Sequence, residues 1–156
     1  MFVILLHFMK EKNIAAEIAN LTFRLLSNCQ LKEKRLSDQL NLTVSEFRVL
    51  RNFGSALHLN IKKLTERMQL TASRLTRILD GLEKKHIIVR SVDSRDRRSI
   101  VITLTEIGKS ITNTLQNKYI EIHEEILKDI PSKDQESVQK GLQQLLQSLE
   151  TWLETS

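Results

Sequence analysis

The sequence predicts a mainly α-helical protein with a small β-hairpin. Only four glycines and one proline occur among 156 residues, which favours helices over a turn-rich β-sandwich. Apolar residues recur at helical spacing along most of the chain, whereas residues 87–104 change to short β-branched and alternating runs typical of strands. Because 156 residues are enough for one core, we expect residues 1–156 to form a single domain.

The first residues, Met1 to Met9, form an apolar run that is too short to span a bilayer. The run also lacks the basic start and the small-residue cleavage site of a signal peptide. Met9, which precedes Lys10-Glu11-Lys12, is an alternative initiator to Met1. We therefore expect a cytoplasmic protein that does not contact the membrane.

Two helices are predicted before residue 58. The first runs from Ile14 to Asp38, and its apolar face consists of Ile14, Ile18, Leu21, Leu25 and Cys29. The second follows Thr43-Val44-Ser45-Glu46, a capping-box pattern in which Thr43 is the N-cap. Its inward residues are expected to be Phe47, Leu50, Phe53 and Leu57.

Two shorter helices joined by a tight turn are predicted next. Asn60 can cap the third helix, and Gln69-Leu70 forms the turn. Thr71 can cap the fourth helix. The buried residues are expected to be Ile61, Leu64 and Met68 in the third helix and Leu75, Ile78, Leu79 and Leu82 in the fourth.

A two-stranded hairpin and two further helices complete the prediction. Residues 87–89 and 100–104 read as strands, and Ser91 to Ser99 as a polar loop between them. Thr105 can cap the next helix, and Pro131 fits a break before a capping box at Ser132 to Gln135. The helix after Thr105 carries Ile107, Ile111, Leu115, Ile122 and Ile126.

The last predicted helix has apolar residues at alternating spacings of four and three, as in a coiled coil. These residues, here called the terminal seam, are Val138, Leu142, Leu145, Leu149 and Trp152. Such a seam fits either an intramolecular core helix or a dimer interface. Because it continues almost to residue 156, we expect a dimer, with residues 10–40 and 105–154 as the dimerisation helices.

Charge is concentrated in the middle of the chain. Residues 58–98 contain eleven basic and five acidic side chains, a net charge of +6, against +5 for the whole chain. A short helix, a tight turn, a second helix and a hairpin together form a winged helix-turn-helix, which we predict for residues 43–104. Such a unit places its second helix in the major groove of DNA.

The predicted DNA contacts on this unit are small polar and basic side chains. The side chains of the fourth helix could reach base edges or phosphates, and those of the third helix could reach the phosphate backbone. The alternative is an ordinary solvated helix surface. The predicted residues are Thr71, Ser73, Arg74, Thr76 and Arg77 on the fourth helix and Lys62, Lys63 and Arg67 on the third.

The hairpin loop contains six polar residues, Asp93-Ser94-Arg95-Asp96-Arg97-Arg98. We expect Asp93 and Asp96 to pair with neighbouring arginines and brace the loop. Arg95, Arg97 and Arg98 are then the candidates for DNA contact, with at least one guanidinium left for a narrow minor groove.

Several motifs resemble the MarR family of bacterial transcriptional regulators. They are Leu82-Glu83-Lys84-Lys85, Ile87-Ile88-Val89-Arg90, the Asp-x-Arg-Asp-x-Arg pattern of residues 93–98, Leu104-Thr105-Glu106-Ile107-Gly108, and residues 42–50. His86 departs from the pattern, because the family commonly has glycine there. A residue other than glycine disfavours a positive φ at this turn.

The resemblance implies a homodimer with intertwined terminal helices and two wings on a pseudo-palindromic operator. It implies repression more often than activation, with release by a small molecule or a redox signal. By motif position, Ser73, Arg74 and Arg77 would face the major groove, and Arg95 would lie at the wing tip. The family's ligand cleft lies between the dimer arms and the DNA-binding lobe.

The sequence offers little that identifies a trigger or a cofactor. Cys29 lies late on the apolar face of the first helix, which favours a buried structural thiol over a redox sensor. The four histidines are not at helical contact spacing, so we expect no metal site and no cofactor. Phosphate-binding loops, nucleophile elbows and metal-ligand spacings are missing, so we expect no enzyme. The alternative function is a winged-helix protein-interaction or dimerisation module without specific DNA binding.

Overall fold

A computed structural model of the chain describes residues 2–93 and 99–155, with side chains from residue 13 onward. The elements in chain order are α1 (Phe2–Gln39), α2 (Val44–Arg51), β1 (His58–Asn60), α3 (Ile61–Met68), α4 (Ala72–Lys84), β2 (Ile88–Val92), β3 (Ile100–Leu104), α5 (Glu106–Lys128) and α6 (Ser132–Thr155). The chain divides into two compact units, Met1–Leu115 and Gln116–Ser156. None of the helices in the described ranges is apolar over enough residues to cross a membrane.

Helix α1 is longer than predicted, since it begins at Phe2 rather than near Ile14. Leu36 and Ser37, near its carboxyl end, are buried, whereas the apolar face from Ile14 to Leu25 is exposed. Cys29 is half-buried, so the expectation of a buried thiol is wrong. The physical reason is that, among the side chains described for residues 13–39, only Leu36 and Ser37 at the carboxyl end of α1 are buried.

The core of the first unit lies between α2, α3, α4 and the strands. Phe47, Leu50, Leu64, Leu75 and Leu82 are all essentially inaccessible to solvent. The helix starts form as predicted, because Thr43 and Glu46 make the reciprocal capping box and the side chains of Asn60 and Thr71 accept from Lys63 and Arg74 amides. Leu57 was expected inside but is exposed, since α2 ends at Arg51 and the chain then turns toward β1.

The sheet has three antiparallel strands in the order β1-β3-β2, one more than predicted. The added strand, His58–Asn60, pairs with β3 in the register Leu59 opposite Ile102. Strand β2 pairs with the other edge of β3, with Ile88 opposite Leu104 and Arg90 opposite Ile102. Strand β1 leads directly into α3, so the sheet fixes where the helix-turn-helix begins.

Two left-handed residues shape the connections around α4. Gln69, at the turn between α3 and α4, has φ 51°, and His86, between α4 and β2, has φ 57°. The turn therefore keeps the geometry that favours glycine even though His86 occupies it. Thr105 stabilises this turn, because its hydroxyl donates to the His86 carbonyl at 2.7 Å and accepts from the Gly108 amide at 3.0 Å.

Gly108 is required because α5 begins directly against the backbone of Ile87. A Cβ atom at position 108 would overlap the carbonyl oxygen of Ile87. The Leu-Thr-x-x-Gly motif thus has a packing function: threonine caps α5, and glycine lets the first turn of α5 approach the strand.

In the second unit, α6 begins after Pro131, as predicted, but the predicted capping box is wrong. Gln135 donates its side-chain amide to the carbonyls of Leu127 and Ile130 at 3.0 and 3.1 Å, near the end of α5. Helix α6 contains no buried residue among its described positions. The terminal-seam residues are between 38% and 61% exposed.

Candidate nucleic-acid interface

The predicted basic residues of α3 and α4 all lie at the surface of the first unit. Lys62, Lys63, Arg67, Arg74 and Arg77 are exposed. Within the described part of the chain, none of their side chains forms an ion pair. These five cations therefore keep their charge available to an outside anion, which is what binding to a phosphate backbone requires.

The small polar residues of α4 are exposed, but some of their hydrogen-bonding capacity is already used. The Thr71 hydroxyl accepts from the Arg74 amide at 3.3 Å and lies 3.3 Å from the Ser73 hydroxyl. The Thr76 hydroxyl donates to the Ala72 carbonyl at 2.9 Å. Thr76 can thus still accept a hydrogen bond, which suits a base amino group better than a phosphate oxygen.

The base of the hairpin loop is held by two hydrogen bonds. The Asp93 amide donates to the Ser99 carbonyl at 2.8 Å, and Asn60 Nδ2 donates to Ser99 Oγ at 2.5 Å. Asn60 is also the N-cap of α3, so one residue connects the loop to the helix-turn-helix. Asp93 is half-buried. The predictions for Arg95, Asp96, Arg97 and Arg98 lie outside the described residues.

An ion-pair cluster that we did not predict connects β2 to α4. Arg90 Nη2 lies 2.5 Å from Asp80 Oδ1, and Arg90 Nε lies 3.6 Å from Glu83 Oε2. The Arg90 amide also donates to Glu83 Oε1 at 3.3 Å, and Nη2 donates to the Thr76 carbonyl at 3.4 Å. The motif Ile-Ile-Val-Arg marks Arg90 in the sequence, but its partners are seven to fourteen residues away.

A second ion pair fixes the orientation of α4 against α2. Glu46 is buried, and its carboxylate accepts hydrogen bonds from Lys85 Nζ and from the Thr43 amide, both at 2.7 Å. A Cβ atom at Gly81 would lie 2.6 Å from Glu46 Oε1, so glycine makes room for the carboxylate. This packing holds α4 with its apolar side inward and its basic side outward.

A cleft of about 500 Å³ lies between α1, α2 and the turn joining α3 to α4. Glu33 of α1 pairs with Arg48 at 2.8 Å and with Arg51 at 3.5 Å. Arg67 and Arg74 line the same cleft, as does Cys29. The cleft therefore contains four guanidinium groups and a single carboxylate.

The described ranges contain no cluster of three or more histidine, cysteine, aspartate or glutamate side chains suited to a metal ion. The basic surface of α3 and α4 lies beside the hairpin, because α3 packs against β3 and α4 packs against β2.

Comparison with known proteins identifies what this arrangement is similar to. Residues 42–100 match the model of the MarR family. The HTH-type transcriptional regulator SarZ of Staphylococcus epidermidis is 40% identical over 87 residues, which is 54% of this chain. The chain spans 59% of the length of that relative.

Solved structures show the same fold. MarR from E. coli, in its apo form, is 25% identical, with a TM-score of 0.63 over 79% of this chain and 94% of that one. Streptococcus pneumoniae FabT, crystallised in complex with DNA, is 22% identical, with a TM-score of 0.75 over 87% and 97%. The predicted winged helix-turn-helix and mainly helical fold are confirmed. The name of SarZ describes a transcriptional regulator, in agreement with the class of protein that the sequence predicts.

Proposed function

We propose that the protein is a sequence-specific, double-stranded DNA-binding regulator, because residues 42–100 match the model of the MarR family. The observation that carries the proposal is the set of five exposed cations on α3 and α4, which form no ion pairs within the described residues. In this proposal α4 enters the major groove, and Ser73, Arg74 and Arg77 reach the bases. Its site of action is the cytoplasm.

The proposal is tested with DNA fragments selected from the source genome by the purified protein. Arg74→Ala should lower the preference for a selected fragment over random DNA, by about 1–3 kcal/mol if the contact is bidentate to guanine. Lys140→Ala, which removes the same charge from α6, is the control and should change neither affinity. An equal loss on both DNAs would make Arg74 a phosphate contact only.

We further propose that the working form is a homodimer on a pseudo-palindromic operator. The support is α6, whose five terminal-seam residues are exposed in the single chain. Exposed apolar patches of this kind mark association surfaces. Leu142→Glu combined with Leu149→Glu should give a monomer by sedimentation, whereas Gln143→Glu combined with Gln147→Glu should leave a dimer. A dimer that persists in the leucine variant would contradict this assignment.

Repression released by a small anion is the regulatory mode that we propose. The support is the cleft of Arg48, Arg51, Arg67 and Arg74, because guanidinium groups bind carboxylate and phosphate groups in a bidentate manner. Small carboxylates should weaken DNA binding in the wild type but not in Arg48→Gln. If no carboxylate weakens DNA binding but oxidation of the protein does, then the signal is redox and Cys29 is the residue to test.

The second candidate is a winged-helix module that binds only protein. Such a module has no need for a basic recognition surface, whereas residues 58–98 carry a net charge of +6. Failure of the wild type to bind any DNA at low salt would favour this second function.

A further inference from the structure

We propose that Arg90 is a positioning residue that fixes the wing, which is the hairpin of β2 and β3, to the recognition helix α4. This inference rests on the proposed DNA-binding function, and it adds a residue outside the predicted contact set. Arg90 lies in β2, the strand that leads into the hairpin loop. Its side chain is 23% exposed and reaches across to α4.

The contacts of Arg90 lie along one face of α4. Thr76, Asp80 and Glu83 are spaced by four and three residues, so they follow one another on the helix surface. The guanidinium contacts the Asp80 carboxylate, the Glu83 carboxylate and the Thr76 carbonyl. The Arg90 amide adds a bond to Glu83. One residue thus attaches the strand to two turns of the helix.

This link joins the two elements that must reach DNA together. The predicted base-contacting residues are in the first turns of α4, and the wing arginines follow β2 in the chain. The guanidinium is planar and holds its nitrogens in a fixed arrangement, which a lysine would not reproduce. Arg90 therefore sets the angle between α4 and the wing before DNA binds, so that less conformational entropy is lost on binding.

Arg90 also offsets two negative charges on the recognition helix. Asp80 and Glu83 are partly exposed, with 47% and 44% of their side-chain surface accessible. Because water reaches both carboxylates, loss of Arg90 leaves no buried charge unpaired, and the fold should tolerate it. The positioning role can therefore be separated from folding.

The test uses the double variant Arg90→Met with Asp80→Asn, which breaks the link without changing net charge. The matched control is the charge-conserving pair Lys140→Met with Glu136→Gln, which removes an exposed ion pair of α6. The probe is a duplex that the wild type selects from a randomised pool. We expect the double variant to bind about tenfold more weakly, with unchanged salt slope and melting temperature. The control should bind at least as tightly as wild type.

A coupling measurement identifies the wing as the element that Arg90 positions. Arg95→Ala should cost less affinity in the double variant than in the wild type, because the wing there is no longer held in place. Equal losses in the two backgrounds would overturn the proposal. The proposal would also be overturned if the double variant bound DNA as tightly as the wild type, or if the control lost as much affinity as the double variant. A salt slope lowered by about one per protomer would overturn it too, because Arg90 would then be a phosphate contact.

Hydrogen exchange separates this inference from the proposed function. If the wild type binds no duplex, the DNA-binding function fails, but the link can still be measured. Amides of β2 should exchange faster in the double variant than in wild type, while amides of α6 should not change. Unchanged exchange in β2 would overturn the positioning role.

Discussion

Residues 42–104 and helix α6 differ in what stabilises them. The first region contains most of the buried hydrophobic residues described for the chain, and each of its helices begins at a side-chain cap. Helix α6 has an equally regular apolar pattern but no buried residue among residues 132–155. An apolar stripe therefore indicates that a surface is to be covered, but it does not say whether the same chain covers it.

The largest contrast is expected between Gly141 of α6 and Gly108, which lies in α5 but packs against Ile87 of the first region. Gly108→Ala should destabilise the protein by more than about 3 kcal/mol, because the added Cβ meets the Ile87 carbonyl and no rotamer relieves the overlap. The Cβ added by Gly141→Ala in α6 points into open space, so this variant should raise the free energy of unfolding by up to about 1 kcal/mol. Denaturant melts of both variants provide the measurement. Similar effects at the two sites would show that α5 does not start against Ile87.

Leucine truncations should also separate the regions. Leu82→Ala removes a fully buried side chain and should cost about 2–5 kcal/mol at any protein concentration. Leu145→Ala should cost stability only through association, so its effect on the melting temperature should change with protein concentration. A concentration-independent loss in the Leu145 variant would mean that α6 is covered within its own chain.

Cap removals are expected to have smaller effects. Thr43→Ala and Thr71→Ala each remove an N-cap acceptor and should cost about 1 kcal/mol of unfolding free energy. Only the Thr71 variant should also weaken DNA binding, because Thr71 begins α4 whereas Thr43 begins α2. Equal DNA affinity in the two variants would remove Thr71 from the interface.

The smallest effect is expected for a solvent-exposed ion pair on α6. Lys140 pairs with Glu136 one turn away, and both side chains are largely exposed. Lys140→Ala should change the unfolding free energy by less than about 0.5 kcal/mol. A larger loss in a thermal melt would show that this face of α6 is covered in the assembled protein.

The local features of the fold could be predicted from the sequence because neighbouring residues specify them. Thr43, Asn60, Thr71 and Thr105 cap helices through residues three positions away. Strand β1 was missed because three residues give no periodic signal and its partner, β3, lies about forty residues along the chain.

Features that depend on distant contacts were less predictable. Cys29 was expected inside because its spacing fits an apolar face, but burial depends on what packs there. His86 was expected to disfavour a left-handed turn, yet the Thr105 hydroxyl bond and the close approach of Gly108 accompany that geometry. The role of Arg90 could not be predicted, because the sequence of a strand does not show that its arginine pairs with Asp80 and Glu83 of α4.

We expect the basic surface of α3 and α4 to bind the phosphate backbone of DNA. The direct test is the affinity of the wild type for a selected duplex between about 50 and 200 mM salt. If a dimer neutralises about 6–10 phosphates, the affinity should fall by about 10³–10⁵-fold over that range. An affinity that does not change with salt would show that this surface does not bind the phosphate backbone.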